Sequence, residues 1–177
     1  MISRSVKEKI KKYFFYNPTI KLRLRQIERD VKVPFPSVQR YAKEFEKDGI
    51  LKSLNVSGAV LYSADRGSQT FIIEKKLFNI KLLYSCGLVD YLRAELSNPS
   101  IVVFGSYSKG EDVENSDIDL YVETPSKKNI NAGEFEKILK RKIQFFRYKN
   151  IREVKNIHLA NNILNGINLN GFVEVFT

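Results

Sequence analysis

A continuous apolar run, Ile101-Val102-Val103-Phe104, stops at Gly105-Ser106. After ten intervening residues comes an alternating segment, Asp117-Ile118-Asp119-Leu120-Tyr121-Val122. A short apolar run closed by glycine is the pattern of a buried strand, and strict alternation is the pattern of a second strand. Side chains two apart on a strand share a face. Asp117 and Asp119 are therefore expected to project together, with Ile118, Leu120 and Val122 entering the core from the opposite side. Carboxylates held side by side repel each other unless something neutralises them. A divalent cation does so, and Mg²⁺ prefers carboxylate and phosphate oxygens. Gly105 lets the chain turn tightly at the strand end, where backbone N–H groups and the Ser106 hydroxyl can hold phosphate oxygens. The stretch Ser108 to Asp112 is expected to begin a short helix that adds its positive end. An anion cradle beside metal-binding carboxylates is the equipment of phosphoryl or nucleotidyl transfer. The Gly105 to Gly110 stretch lacks the Gly-Lys-Ser/Thr ending of a P-loop and is not the Gly-x-Ser-x-Gly of a hydrolase elbow.

The rest of the chain narrows the setting. With 177 residues there is room for one medium domain or two small ones, and 43% hydrophobic with 28% charged residues is ordinary globular composition. No apolar run approaches the roughly 18 residues of a membrane span. Met1-Ile2-Ser3-Arg4-Ser5 leads directly into charged, helix-like sequence without the apolar core of a signal peptide. The lone Cys86 excludes an internal disulfide, and the lone His158 excludes a histidine zinc cluster. The expected location is cytoplasmic, with no membrane partner.

Charge separates two regions. The chain carries +10, and residues 1–66 hold 15 Lys and Arg against 7 Asp and Glu, whereas residues 67–177 are nearly balanced. A basic amino-terminal third points to a polyanion. There, Val6, Ile10 and Phe14 mark a first helix over Ser5 to Tyr16, stopped by Asn17-Pro18. Leu24, Ile27 and Val31 mark a second, and Val33-Pro34-Phe35-Pro36 reads as a rigid turn. Val38, Tyr41, Ala42 and Phe45 mark a third helix from about Ser37 to Lys47, stopped by Gly49. Two short strands follow, joined by a turn at Val56-Ser57-Gly58. This order resembles a winged helix-turn-helix, whose third helix enters the major groove of DNA. The exposed face of that helix carries Ser37, Gln39, Arg40 and Lys43. Gln and Arg suit base edges, and Ser and Lys suit phosphates.

Ser68 to Leu96 reads as helix with a break at Gly87, a connector or dimer surface, and Cys86 within it as a packed thiol. The expected organisation is a winged helix-turn-helix domain over 1–66, a helical connector over 67–98 and a catalytic domain over 99–177, in an α+β fold.

Phe104-Gly105-Ser106-Tyr107-Ser108-Lys109-Gly110-Glu111, followed by Ser116-Asp117-Ile118-Asp119-Leu120, resembles the minimal nucleotidyltransferase family of the polymerase-beta-like superfamily. The likeness covers roughly residues 88–177. With its amino-terminal module the whole chain is similar to two-domain archaeal proteins of this type. The resemblance implies a small mixed sheet flanked by helices. It implies transfer of a nucleoside monophosphate from a nucleoside triphosphate, with ATP the expected one, to a hydroxyl acceptor with Mg²⁺ or Mn²⁺. Asp117 and Asp119 would be catalytic metal ligands, and Gly105, Ser106 and Lys109 would hold the nucleotide. DNA, a homodimeric partner and a protein acceptor such as a partner toxin are the other partners it implies.

The family's third carboxylate lies on a later strand, and the same pattern here puts Gln144 of Lys142-Ile143-Gln144-Phe145-Phe146 at that position. Glu153 and Glu174 are the nearest alternatives, Glu174 within an expected final strand over 172–176. Lys140, Arg141, Lys142, Arg147 and Lys149 form a basic cluster around the Gln144 strand, able to hold triphosphate or acceptor or simply to be solvated. Because Gln cannot act as a general base, an alternative function stays open. It is a DNA-binding transcription regulator or antitoxin-like protein whose transferase domain binds nucleotide but is weakly active or inactive.

Overall fold

The computed structural model describes residues 5–176. Met1 to Arg4, the start of the charged lead-in, and Thr177 lie outside the described residues. The chain divides into two compact units, with the boundary after Lys75.

In the first unit, helix α1 (Val6–Tyr16) opens on Ser5, whose hydroxyl accepts from the Glu8 amide at 3.3 Å. It closes at Asn17, whose side chain donates to the Tyr13 carbonyl at 2.8 Å. Helices α2 (Leu24–Val31) and α3 (Phe35–Lys47) follow. The expected rigid turn is shorter than its sequence suggests. Pro34 is the N-cap of α3, while Phe35 and Pro36 already belong to its first turn, where a missing N–H costs nothing. Strands β1 (Leu51–Val56) and β2 (Ala59–Ala64) form an antiparallel hairpin. Ser57 and Gly58 between them both have positive φ, 49° and 78°, as a two-residue hairpin turn requires. Leu22 adds an isolated bridge to Tyr62. The core is aromatic and aliphatic: Ile10, Phe14, Ile27, Val38, Ala42 and Phe45 are essentially inaccessible.

Helix α4 (Gln69–Ser85) crosses the boundary, and α5 (Leu88–Glu95) follows the expected break, where Gly87 has φ 84°. The second unit continues with β3 (Ser100–Phe104), α6 (Gly105–Lys109), β4 (Ile118–Glu123), α7 (Gly133–Leu139) and β5 (Ile143–Tyr148). A single 3-10 turn at Ile151–Glu153, α8 (Ile157–Leu164) and β6 (Ile167–Asn170) complete it. The sheet order is β5-β4-β3-β6, with β4 and β5 parallel and the other pairs antiparallel. It is buried on both faces. Ile101, Val103, Ile118, Leu120 and Val122 pack with Leu83, Leu88 and Leu92 on one side. Val102, Phe104 and Tyr121 pack with Ile151, Val154 and Ile163 on the other. Covering both faces explains why β3 reads as an unbroken apolar run.

The final strand is not the one expected. Residues 172–176 are irregular, and β6 lies earlier, where Gly166 lets the chain approach β3 closely: a Cβ there would sit 2.6 Å from the Val103 carbonyl oxygen. At Gly171 the backbone turns out of the sheet with φ 64°, and the Ser100 hydroxyl, donating to the Phe172 carbonyl at 2.6 Å, holds the departing chain.

Candidate active site

Strand β3 delivers Phe104, an extended residue, directly into α6. The helix starts at Gly105 rather than at Ser108 as expected. Gly105 has φ 71°, and a Cβ placed on it would fall 2.3 Å from Oδ2 of Asp119. The carboxylate therefore occupies the space that any other residue would fill. Register accounts for the contact. Phe104 is the antiparallel partner of Asp119, so the next residue turns across the head of β4. On its other side Asp119 pairs with Gln144 of β5. Phe104 and Phe146, in edge contact at 5.1 Å between centroids, form part of the apolar layer on this face.

The first amides of α6 lack partners within the helix, and Phe104 offers no side-chain cap. These donors open beside Asp119. Ser106 is half-buried in the same turn, and Ser108 is buried, its hydroxyl donating to the Gly105 carbonyl at 2.9 Å.

Asp117 immediately precedes β4 and is exposed; Asp119 is half-buried. Burial, with the negative charge of Asp117 second, holds the Asp119 carboxyl above its ordinary range. Among the described residues neither carboxylate forms a hydrogen bond or an ion pair within the chain. Lys142, which feels the charge of Asp117, is committed to Glu136 at 2.8 Å. Among the described residues no group of three His, Cys, Asp or Glu side chains assembles. The donors at hand are two carboxylates, the Ser106 hydroxyl and the Gln144 amide oxygen. That oxygen-only set suits Mg²⁺ or Mn²⁺ sharing its coordination with phosphates and water, because Mg²⁺ needs few carboxylates when a substrate completes its shell.

Behind the site lies a buried polar network that local sequence does not announce. Asn79 of α4 donates to the Tyr107 carbonyl in α6 at 2.9 Å and to Oδ1 of Asp112 at 2.7 Å. Oδ2 of Asp112 meets the guanidinium of Arg141 at 3.6 Å, with both side chains almost fully buried. The network ties α4 and the segment before β5 to the α6–β4 connection, and so positions the turn that carries Asp117. Arg141 thus leaves the expected solvated cluster. Arg147 does as well, donating to the backbone carbonyls of Ser126 and Lys128. An open groove of about 570 Å³ runs from Asp117 along Glu136, Lys140 and Lys142.

Other candidates fall elsewhere. Lys109 is exposed at the end of α6. Glu153 accepts from the Lys149 amide at 3.2 Å, and Glu174 is exposed in the irregular tail. Cys86 donates to the Leu83 carbonyl, burial pushing its thiol up, and His158 is exposed on α8. On α3, Gln39, Arg40 and Lys43 are exposed and Ser37 is half-buried. The Arg40 guanidinium lies over the Tyr41 ring at 4.5 Å. The acidic residues of this helix have internal partners: Glu44 pairs with Lys7, and Glu46 accepts from the amide and hydroxyl of Ser53.

Residues 85–163 match the family model described as Nucleotidyltransferase domain. The match runs from the end of α4 into α8, so it contains Gly105, Asp117, Asp119 and Gln144. No curated protein and no solved structure matches the chain. Among the described residues no helix is long and apolar enough to cross a membrane.

Proposed function

We propose that the second unit transfers a nucleoside monophosphate from a nucleoside triphosphate such as ATP to a hydroxyl acceptor. The observation that carries this reading is the Asp119 carboxylate lying against Gly105, its charge raised in cost by nearby Asp117, and neither carboxylate in an ion pair among the described residues. The family match over residues 85–163 supports nucleotidyl transfer and a triphosphate substrate. Asp117 and Asp119 would hold Mg²⁺ or Mn²⁺, which when bound supplies charge for the reacting phosphates and acidifies a coordinated hydroxyl. The α6 amides and the Ser106 hydroxyl hold phosphate oxygens, fixing the chain of phosphates against the Asp pair. Lys109 adds a point charge without the fork geometry of arginine. On β5 the residue paired with Asp119 is Gln144, which supplies no carboxylate base there.

Gln144 also favours the second reading, in which this unit binds nucleotide with weak or no transfer, as in a regulator or an antitoxin-like protein acting on a partner toxin. The first unit is read as a winged helix-turn-helix that binds DNA, on the strength of its charge and of exposed Gln39, Arg40 and Lys43 on α3. Incubating the full chain with triphosphates labelled at the α-phosphate, Mg²⁺ or Mn²⁺ and candidate acceptors tests the first reading. Label incorporation lost in Asp117→Asn/Asp119→Asn supports transfer. Retained nucleotide binding with no incorporation for any acceptor supports the regulator.

A further inference from the structure

The first unit contains a groove of about 810 Å³ between α2, the first turn of α3 and the hairpin turn. Arg23, Arg25 and Arg29 line one wall; Phe35 and the Ser57-Gly58 turn line the other parts. All three arginines are exposed. No acidic side chain lines the groove. Arg23 and Arg29 form no ion pair among the described residues, and Arg29 donates Nε only to the Arg25 carbonyl at 3.2 Å. Arg25 is held differently. It pairs with Glu28 at 3.0 Å and lies over the Phe35 ring at 3.7 Å from the centroid.

A groove with three guanidinium groups, only one of them paired with a carboxylate, is a strong local positive field. Arg25 and Arg29, four apart on α2, stand on neighbouring turns of one helix face, about 5–6 Å apart at Cβ. Arginine forks match phosphate oxygens in a bidentate manner. The groove is far larger than a single inorganic anion needs, and it is open along its length beside the Gly58 backbone, where no side chain blocks approach. Phe35 continues into the exposed surface of α3, since Gln39 lies one turn further along the same side.

We infer that this groove, rather than the α3 face alone, is the main phosphate-binding surface of the first unit, and that it takes consecutive phosphates of one strand of a nucleic acid. The inference rests on the reading that the first unit binds nucleic acid. Exposed α3 residues then supply base contacts, while Arg23, Arg25 and Arg29 supply affinity through counterion release.

Fluorescence anisotropy with labelled duplex and single-stranded oligonucleotides, over a salt series and with the full chain, tests this. Wild type is compared with Arg23→Gln/Arg25→Gln/Arg29→Gln, with the Arg→Lys triple variant, and with Gln39→Ala/Arg40→Ala, each checked for folding by its thermal melt. The Gln variant should bind at least tenfold more weakly at low salt. Its log affinity against log salt should be shallower than wild type by about 2 to 3, as three lost phosphate contacts demand. The Lys variant should keep most of the slope, which separates lost charge from lost fold. An unchanged slope in the Gln variant, with wild type binding well, overturns the groove and leaves the nucleic-acid reading standing. Failure of wild type to bind any oligonucleotide at low salt overturns both.

Discussion

Gln144 is the direct cross-strand partner of Asp119 in the parallel pairing of β5 with β4. Paired residues on adjacent strands present their side chains to the same face, so the amide is the nearest β5 side chain to the one carboxylate that touches Gly105. An amide offers an oxygen but no charge. The site is therefore a two-carboxylate site at the position where the family resemblance implies three.

Replacing Gln144 by Asp should restore the missing charge. Mn²⁺ affinity, measured by titration calorimetry with ATP present, is expected to rise by on the order of tenfold, about 1.4 kcal/mol. Transfer activity should rise with it. A variant that binds Mn²⁺ no more tightly than wild type would show that this neighbour takes no part in holding the ion.

Gly105→Ala should be costly in two separable ways. Positive φ costs a residue with a Cβ roughly 1–2 kcal/mol, and the added methyl would also meet the Asp119 carboxylate. Chemical denaturation should show the full loss in Gly105→Ala and a partial recovery in Gly105→Ala/Asp119→Ala, where the steric part is gone and the backbone strain stays. Equal stability of the two variants would remove the steric contact from the account.

Asp119 predicts a pH dependence. Its folded pKa is raised by burial and by Asp117, so between the ordinary carboxylate pKa and the raised value the folded chain binds more protons than the unfolded one. Stability from this group therefore falls as pH rises through that window, and it is lowest above it. Asp119→Asn should raise Tm at pH 7 and change it much less near pH 4. Added Mg²⁺ should stabilise wild type but not the variant, by linkage to binding. A variant less stable than wild type at pH 7 without metal would contradict the assigned repulsion.

Asp112→Ala should destabilise the second unit by about 3–5 kcal/mol, because it removes the carboxylate that faces the buried Arg141 guanidinium. Asp112→Ala/Arg141→Met removes both charges and should recover much of that loss. Denaturant melts of the single and double variants measure the coupling directly, and additive losses would mean that the two side chains act independently.

The local parts of the site are legible in the amino-acid sequence. The Ile101–Phe104 strand and the glycine turn depend on backbone sterics and side-chain alternation within a few residues, and they lie where the pattern puts them, whereas the second strand begins at Ile118, one residue after Asp117, which the pattern places inside it. The Ser57-Gly58 hairpin turn and the break at Gly87 are local in the same sense, since each needs only a positive φ that the neighbouring sequence announces. The start of α3 is harder to read, because Pro36 punctuates a sequence equally well as a turn residue or as part of a helix's first turn.

Other features depend on which distant segments meet. Arg141 reads as one of a row of solvated cations, yet it is buried against Asp112, with Asn79 of α4 on that carboxylate's other oxygen. Nothing near position 141 encodes that partnership. The apolar residues 172–176 read as the last strand, but β3 offers its free edge to Ile167–Asn170, where Gly166 permits close approach. The groove between α2 and the hairpin exists only because three segments separated in sequence pack side by side. Periodicity and turn chemistry act over one or two turns of chain, and so the sequence alone determined the elements and the chemistry they carry. Register, burial and charge pairing are set by long-range packing, and only the tertiary structure decided that Asp119 would rest on Gly105 with Gln144 at its side.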